Sequence, residues 1–235
     1  MIVRSSSRGL PLTCRPAAAY ALPMLKLWYG SGSPFAWRVQ LALEEKGLVY
    51  EPILLSFSSG DLKTPEHLAR HPHGKVPVLA DGDLVLYEST AIVEYLDERY
   101  REPSLLPRDA ADRAVVRIEE IEATQYFGET FRALGRQVFF TPASQRDDAA
   151  VAEASAAVRR ELERLEQRAA SRGGEFVAGR MLTRADLAWL PFVEIAERAG
   201  VPVGPDAEPW THAWRGRMRM RPSYARSYPP HWRAR

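Results

Sequence analysis

Residues 71–100 read HPHGKVPVLADGDLVLYESTAIVEYLDERY, and the fold is decided there. Val76-Pro77-Val78-Leu79 is a short apolar run between Gly74 and the pair Asp81-Gly82. It predicts a strand closed by a two-residue hairpin turn, with a second strand over Leu84 to Leu86. Proline at a strand's start needs no ladder hydrogen bond, and a cis bond at Val76-Pro77 would put the Val76 N–H and C=O out as a free edge that an extended peptide can pair with. Glu88-Ser89-Thr90 then opens a helix whose apolar residues Ala91, Ile92, Tyr95 and Leu96 recur at helical spacing. Ser89 therefore sits where backbone N–H groups lack partners and attract carboxylates. With Glu88 beside it, the pair suits both ends of an amino-acid head group: ammonium on Glu88, carboxylate on Ser89 and the helix start.

Upstream of this run, Leu25 to Tyr29 reads as a strand and Phe35 to Lys46 as a helix stopped by Gly47. Tyr50 to Leu55 reads as a second strand. A looser segment holding Lys63 and a short helix from about Pro65 to Arg70 follow. The order βαβαββα predicts a small mixed sheet covered by helices. Beyond Tyr100, Pro103 and Pro107 mark a linker, and from Asp109 onward only helical spacing is found. Long helices are predicted over about 109–136 and 142–172, the second with Pro142 near its start and ending before Gly173-Gly174. Thr183-Arg184-Ala185-Asp186 is a capping box with Asp for the usual Glu, flanked by Leu182 and Leu187 as a hydrophobic staple. It predicts a buried helix from Asp186 to about Ala199. The expected division is a dispensable extension over 1–23, an α/β domain over 24–103 and an all-α domain over 109–235.

The chain has 235 residues, 46% of them hydrophobic and 26% charged, which fits a soluble globular protein. No run of eighteen apolar residues occurs, so neither a transmembrane helix nor a membrane partner is expected. The single cysteine, Cys14, excludes an internal disulfide and a Cys-x-x-Cys site. It points to a reducing compartment, the cytoplasm. The net charge of +2 conceals a partition. Residues 1–23 carry Arg4, Arg8 and Arg15 without an acid, in a composition weakly like an organellar transit peptide, and are expected to be an upstream-start artefact or an extension. Residues 212–235 carry seven arginines without an acid. These arginines interleave with Trp214, Met218 and Met220 at helical spacing, so a terminal helix and tail salt-bridged to an acidic body is expected, not nucleic-acid binding. His71 and His73 have no third metal ligand in evident reach. They read as solvated loop residues, and no metal is expected.

The segment Tyr29-Gly30-Ser31-Gly32-Ser33-Pro34-Phe35 joins the first strand to the first helix. Pro34 fits the first helical position, which makes Ser33 the N-cap. Capping alone accounts for the local pattern. The same hydroxyl, at a dipole-positive helix start, can also donate to a thiolate and lower a thiol pKa from about 8.5 toward neutrality. Tyr29 and Ser31 are competing hydroxyls.

Ser33-Pro34-Phe35 with Trp37-Arg38-Val39, then His71-Pro72-x-x-Lys75-Val76-Pro77, then Glu88-Ser89, then Gly179-x-x-x-Thr183-x-x-Asp186-x-x-Trp189 together resemble the soluble glutathione transferase family in order and spacing. The resemblance covers about residues 24 to 220, and the Ser-Pro-Phe run is most similar to its serine-type tau, phi, theta and bacterial members. It implies a thioredoxin-like N-terminal domain, an all-helical C-terminal domain and a homodimer. It implies an enzyme in which Ser33 activates the thiol of glutathione for attack on a small electrophile. By the same resemblance Val76, before a cis Pro77, pairs with the cysteinyl unit, Glu88 and Ser89 hold the γ-glutamyl group, and Lys63 and Lys75 lie near the glycyl carboxylate. The chain departs from the cysteine-type classes in having no cysteine near Ser33, and from the zeta-type isomerases in carrying Pro34-Phe35 where those have Ser-Cys. Tyr126, Phe127 and Phe131 are candidates to line an electrophile pocket, with Tyr228, Pro229, Pro230 and Trp232 either covering it or packing on the surface. A glutathione-dependent peroxidase or dehalogenase, and a non-catalytic scaffold on the same fold, are the alternatives.

Overall fold

A computed structural model describes residues 25–233, so the expectations for residues 1–23 lie outside the described residues. Strand β1 is Leu25–Tyr29, helix α1 Pro34–Glu45, β2 Tyr50–Leu54, α2 Pro65–Arg70, β3 Val78–Asp81, β4 Leu84–Tyr87 and α3 Ser89–Arg99. The sheet order is β2-β1-β3-β4. β1 runs parallel to β2 and antiparallel to β3, and β3 pairs antiparallel with β4. This is the mixed sheet that the βαβαββα order predicts. Its apolar residues Leu27, Val78 and Leu79 are buried with Trp37, Val39, Leu41, Ala42 and Leu43 of α1 and Ile92 and Leu96 of α3.

The hairpin is displaced from its expected position. β3 begins at Val78 rather than Val76, because Pro77 offers no N–H to the ladder. Asp81 pairs with Leu84, so the two turn residues are Gly82 and Asp83, and Gly82 takes φ +60° at the first position. That is the glycine placement of a II′ hairpin turn.

The helical part begins with α4, Ala110–Ile121, which continues through a wide π turn at Glu122–Phe127 into α5, Gly128–Gly135, and a second π turn at Arg136–Phe140. The rod is continuous over the expected span but is widened twice. The next helix, α6, spans Asp148–Ser171 and starts six residues after Pro142. Its true cap is Asp147, whose carboxylate accepts from the N–H groups of Ala149 and Ala150 at 3.0 and 3.1 Å. Pro142 instead precedes a short 3₁₀ turn.

Helix α7, Arg184–Arg198, lies in the centre of the molecule, buried from Arg184 through Ala196. Its capping box is present: Asp186 accepts from the Thr183 N–H at 2.8 Å. The same carboxylate accepts from Val177 N and from the Trp214 indole, both at 2.9 Å. One residue thus ties the start of α7 to the preceding loop and to α8, Pro209–Arg219. Of the apolar residues expected on that last helix, Trp214 and Met218 are fully buried, whereas Met220 follows the helix and is exposed.

Helices α1 and α7 pack together across the two parts. Between them Arg38 is buried, donating to Thr90 Oγ1 at 3.3 Å and to the Ala188 carbonyl at 3.5 Å. The chain then returns to the first part. Helix α9, Pro222–Ser227, lies on α1; Arg221 pairs with Glu45 at 2.6 Å and Arg226 with Glu44 at 2.5 Å, and the Trp37 indole donates to Ser227 at 2.9 Å. Arg215 and Arg219 pair with Glu194, each at 2.8 Å. Arginines of the C-terminal stretch therefore answer acids of the body. No helix among the described residues is long and apolar enough to cross a membrane.

Candidate active site

The strand register brings three loops to one end of the sheet. Trp28 stands opposite Val78, so continuing the antiparallel register sets Val76 across from Gly30, in the loop that leads to Ser33. Val78 also stands opposite Tyr87, which sets Glu88 beside Pro77. The Val76–Pro77 peptide is cis. Among the described residues the Val76 N–H and C=O have no hydrogen-bond partner, whereas the neighbouring Lys75 carbonyl is bonded to His67 Nε2 at 2.8 Å.

Ser33 caps α1: its hydroxyl oxygen accepts from Ala36 N at 3.3 Å. The hydroxyl proton is not consumed by that bond and remains available to a ligand. Ser31 also faces the cavity described below, whereas Tyr29 does not line it and packs on the core. At Gly30 the Phe57 ring lies directly over the backbone. A Cβ at that position would come within 2.3 Å of the phenyl ring.

Glu88 precedes α3 and is the one non-glycine residue of positive φ among the described residues, at φ 69° and ψ 110°. Such a backbone costs on the order of 1–3 kcal/mol and occurs where the surroundings hold it for a purpose. No side chain caps α3, so its first N–H groups are open to an anion, with Ser89 buried and Glu88 exposed beside them. Lys63 Nζ approaches to 3.3 Å of the point where a side chain on Gly74 would begin, and Lys75 follows Gly74 in the chain. Neither ammonium has an acidic partner among the described residues. His71 differs from the expected solvated loop residue. It is buried, 4.8 Å from the Tyr87 ring, and burial holds its pKa below the ordinary imidazole value. No group of three metal-ligating side chains occurs among the described residues.

Next to the α1 start a cavity of about 680 Å³ opens between α1, the α4–α5 rod, α7 and the chain's end. Of the three aromatic residues expected to line it, only Phe131 does. Phe127 is fully buried against Trp189 and Phe192, and Tyr126 is exposed. The rod lines it with Thr124, Gly128, Glu129, Phe131, Arg132, Gly135, Arg136, Phe139 and Phe140, a helical recurrence every three to four positions. That face was legible as a stripe with two glycines. Phe35, Phe57, Phe192 and Ile195 complete the wall and were not foreseen, since only tertiary packing brings them together. The tail does reach the cavity through His231 and Trp232, while Tyr228 packs behind them on Trp37 and Trp232.

Residues 28–104 match the family described as glutathione S-transferase, N-terminal domain, and residues 131–222 match glutathione S-transferase, C-terminal domain. The chain is 33% identical over 219 residues to glutathione S-transferase A of Pleuronectes platessa, covering 90% of this chain and 94% of that one. It is 39% identical over 171 residues to glutathione S-transferase 4 of Zea mays, covering 71% and 75% of the two chains. Among solved structures it is similar to the theta class glutathione S-transferase of Xanthomonas axonopodis pv. citri with glutathione bound, at a TM-score of 0.78 and 31% identity over 88% of this chain and 98% of that one. A thioredoxin-like domain, an all-helical domain and these matches across both place the chain in the soluble glutathione S-transferase family.

Proposed function

We propose that the protein transfers glutathione to small hydrophobic electrophiles, with glutathione as co-substrate and no metal. The observation that carries this reading is the meeting, at one end of the sheet, of an unpaired peptide edge at Val76, an uncapped helix start at Ser89 and the α1 start at Ser33, all beside an aromatic cavity. Val76 and Pro77 receive the cysteinyl unit along the free edge. Glu88 and Ser89 take the γ-glutamyl ammonium and carboxylate, and Lys63 and Lys75 face the glycyl carboxylate. Ser33 donates to the sulfur, which lowers the thiol pKa and positions the thiolate for attack on an electrophile held among Phe35, Phe131 and Phe192. A membership of the serine-type classes goes with this role for Ser33. A reducing, cytoplasmic setting goes with the lone Cys14.

Exposed Leu84, Val85 and Tyr87 on the edge strand β4, with exposed Ile118 and Ile121 on α4, favour a homodimer. The deciding experiment for the enzyme is an ultraviolet titration of bound glutathione thiolate in the wild type and in Ser33→Ala, beside conjugation of an activated aryl halide. A thiolate that titrates at the free-thiol pKa in both proteins removes Ser33 from the reaction.

A further inference from the structure

The last described turn, Pro230–Trp232, folds back onto the loop before α1 and adds a hydroxyl–imidazole pair to the cavity. Ser31 Oγ lies 2.7 Å from His231 Nδ1, the distance at which an imidazole can take a hydroxyl proton. Both residues line the cavity, as does Ser33. The turn is anchored from behind: Trp232 is buried edge-on to Trp37 at 5.5 Å, and the Arg198 guanidinium lies 4.7 Å from the Trp232 ring. Partial burial, and then the Arg198 charge, hold the His231 pKa below its ordinary value, which favours the neutral ring. His231 Nε2 and Trp232 Nε1 have no hydrogen-bond partner among the described residues, and each stands 3.3 Å from the point where a side chain on Gly32 would begin. Gly32, at φ +84°, is a position suited to glycine. A side chain there would crowd both rings, so glycine lets the two ring nitrogens approach the backbone closely.

We propose that Ser31 and His231 make this site a hydrolase for aromatic acyl thioesters of glutathione, with Ser31 as nucleophile and His231 as base. The proposal rests on the glutathione site described above, which would present the thioester sulfur to Ser33 and its carbonyl to Ser31. Ser31 Oγ bonds to the carbonyl carbon as its proton passes to His231 Nδ1. The Trp232 indole N–H, beside Gly32, is available to the developing oxyanion. The C–S bond then breaks, and sulfur departs with the bonding pair as a thiolate that Ser33 stabilises and that takes up the imidazolium proton. Water next adds to the Ser31 ester, giving its proton to His231, and Ser31 leaves with that proton restored. The balance is thioester plus water giving carboxylic acid plus glutathione, with no oxidant. A thiolate needs no proton in order to leave, so a Ser–His pair suffices without the carboxylate that orients the imidazole in amide-cleaving triads. The wall of Phe35, Phe131 and Phe192 selects the aromatic acyl group.

The test uses the full chain with S-benzoylglutathione, following release of glutathione and benzoate, with aryl-halide conjugation measured in parallel. Hydrolysis at least about 100-fold above buffer is expected, with the benzoyl group found on the Ser31 peptide by mass spectrometry after acid quench. Ser31→Ala and His231→Gln should each lower the ratio of hydrolysis to conjugation at least about 100-fold. Glutamine can keep the tail bonded to Ser31 and cannot act as a base. A wild type that conjugates glutathione yet hydrolyses the thioester no faster than Ser31→Ala overturns the hydrolase. So does acylation at any other residue. A wild type that neither binds nor conjugates glutathione overturns the underlying site, and the hydrolase with it.

Discussion

In the role proposed for it, Ser33 serves two partners with one hydroxyl because they use different parts of it: the oxygen accepts from Ala36 N, and the proton is left for a sulfur. Ser33→Ala should therefore show two separable losses. Stability should fall by about 0.5–2 kcal/mol through the missing cap. Separately, the bound thiol pKa should rise, each unit being worth about 1.4 kcal/mol of preference for the thiolate; conjugation near neutral pH should drop and recover as pH rises through the new value. Chemical denaturation and a pH–rate profile read the two effects independently, and an unaltered profile would return attention to Ser31. Glu88 allows a similar separation. Replacing it by glycine removes the positive-φ strain and the carboxylate together, so folding stability should stay level or rise by up to about 2 kcal/mol while glutathione affinity falls by about 1–3 kcal/mol. Calorimetric titration beside a melting curve checks it, and a variant that loses stability while keeping affinity contradicts the role. Ser33, Val76, Glu88 and Ser89 were legible because caps, prolines and helix starts are written locally. Ser31 with His231, and Phe57 over Gly30, are contacts across distant parts of the chain and left no local mark.

At the level of elements, α7 depends on its buried carboxylate. Asp186 accepts from the Thr183 N–H and hydroxyl, from Val177 N and from the Trp214 indole. All four partners are donors, so Asp186→Asn would turn an amide N–H₂ toward at least one of them and should cost about 2 kcal/mol or more. Burial raises the carboxyl pKa from 3.8 to about 6, against the opposing pull of those hydrogen bonds. The folded value is the higher one, so between about pH 4 and 6 the folded protein holds a proton that the unfolded chain has released, and this group's stabilising contribution is lost as pH rises. The stability gap between wild type and Asp186→Asn should accordingly narrow from pH 4 to pH 7, as urea unfolding at several pH values would reveal; a gap that widens would mean the carboxylate is ionised throughout. The capping box announced this helix because its two halves are three residues apart. The start of α6 was misplaced at Pro142 for a related reason. Proline permits a helix start, but Asp147 satisfies two open N–H groups, and the stronger cap sets the boundary. The wide turns at Glu122–Phe127 and Arg136–Phe140 have no such signature, which is why Tyr126 and Phe127 were assigned to a face that the rod does not present to the cavity.

For the whole molecule, the unresolved demand is the outer strand of the sheet. β4 is an edge and follows β3 directly, yet Leu84, Val85 and Tyr87 are all exposed there, and Ile118 and Ile121 are exposed on α4. Arg117 of α4 pairs with Glu94 of α3, the helix that continues from β4, at 3.7 Å. An edge strand with three large apolar side chains is a pairing and aggregation hazard unless a partner covers it. A second copy covers such a face by two-fold symmetry, since one patch then serves both subunits. A stable interface of this kind buries about 1,200–2,000 Å² in total, more than β4 alone can supply, so α4 should be included. Wild-type protein should sediment at twice the 26.5 kDa chain mass, and Val85→Asp with Ile118→Asp should sediment as a monomer. Glu88 and Ser89 follow β4 without a break, so the monomeric variant should also bind glutathione more weakly, although neither substitution touches the proposed ligand. A wild type that stays monomeric at micromolar concentration would refute the dimer. A dimer that survives both charges would move its interface to another face.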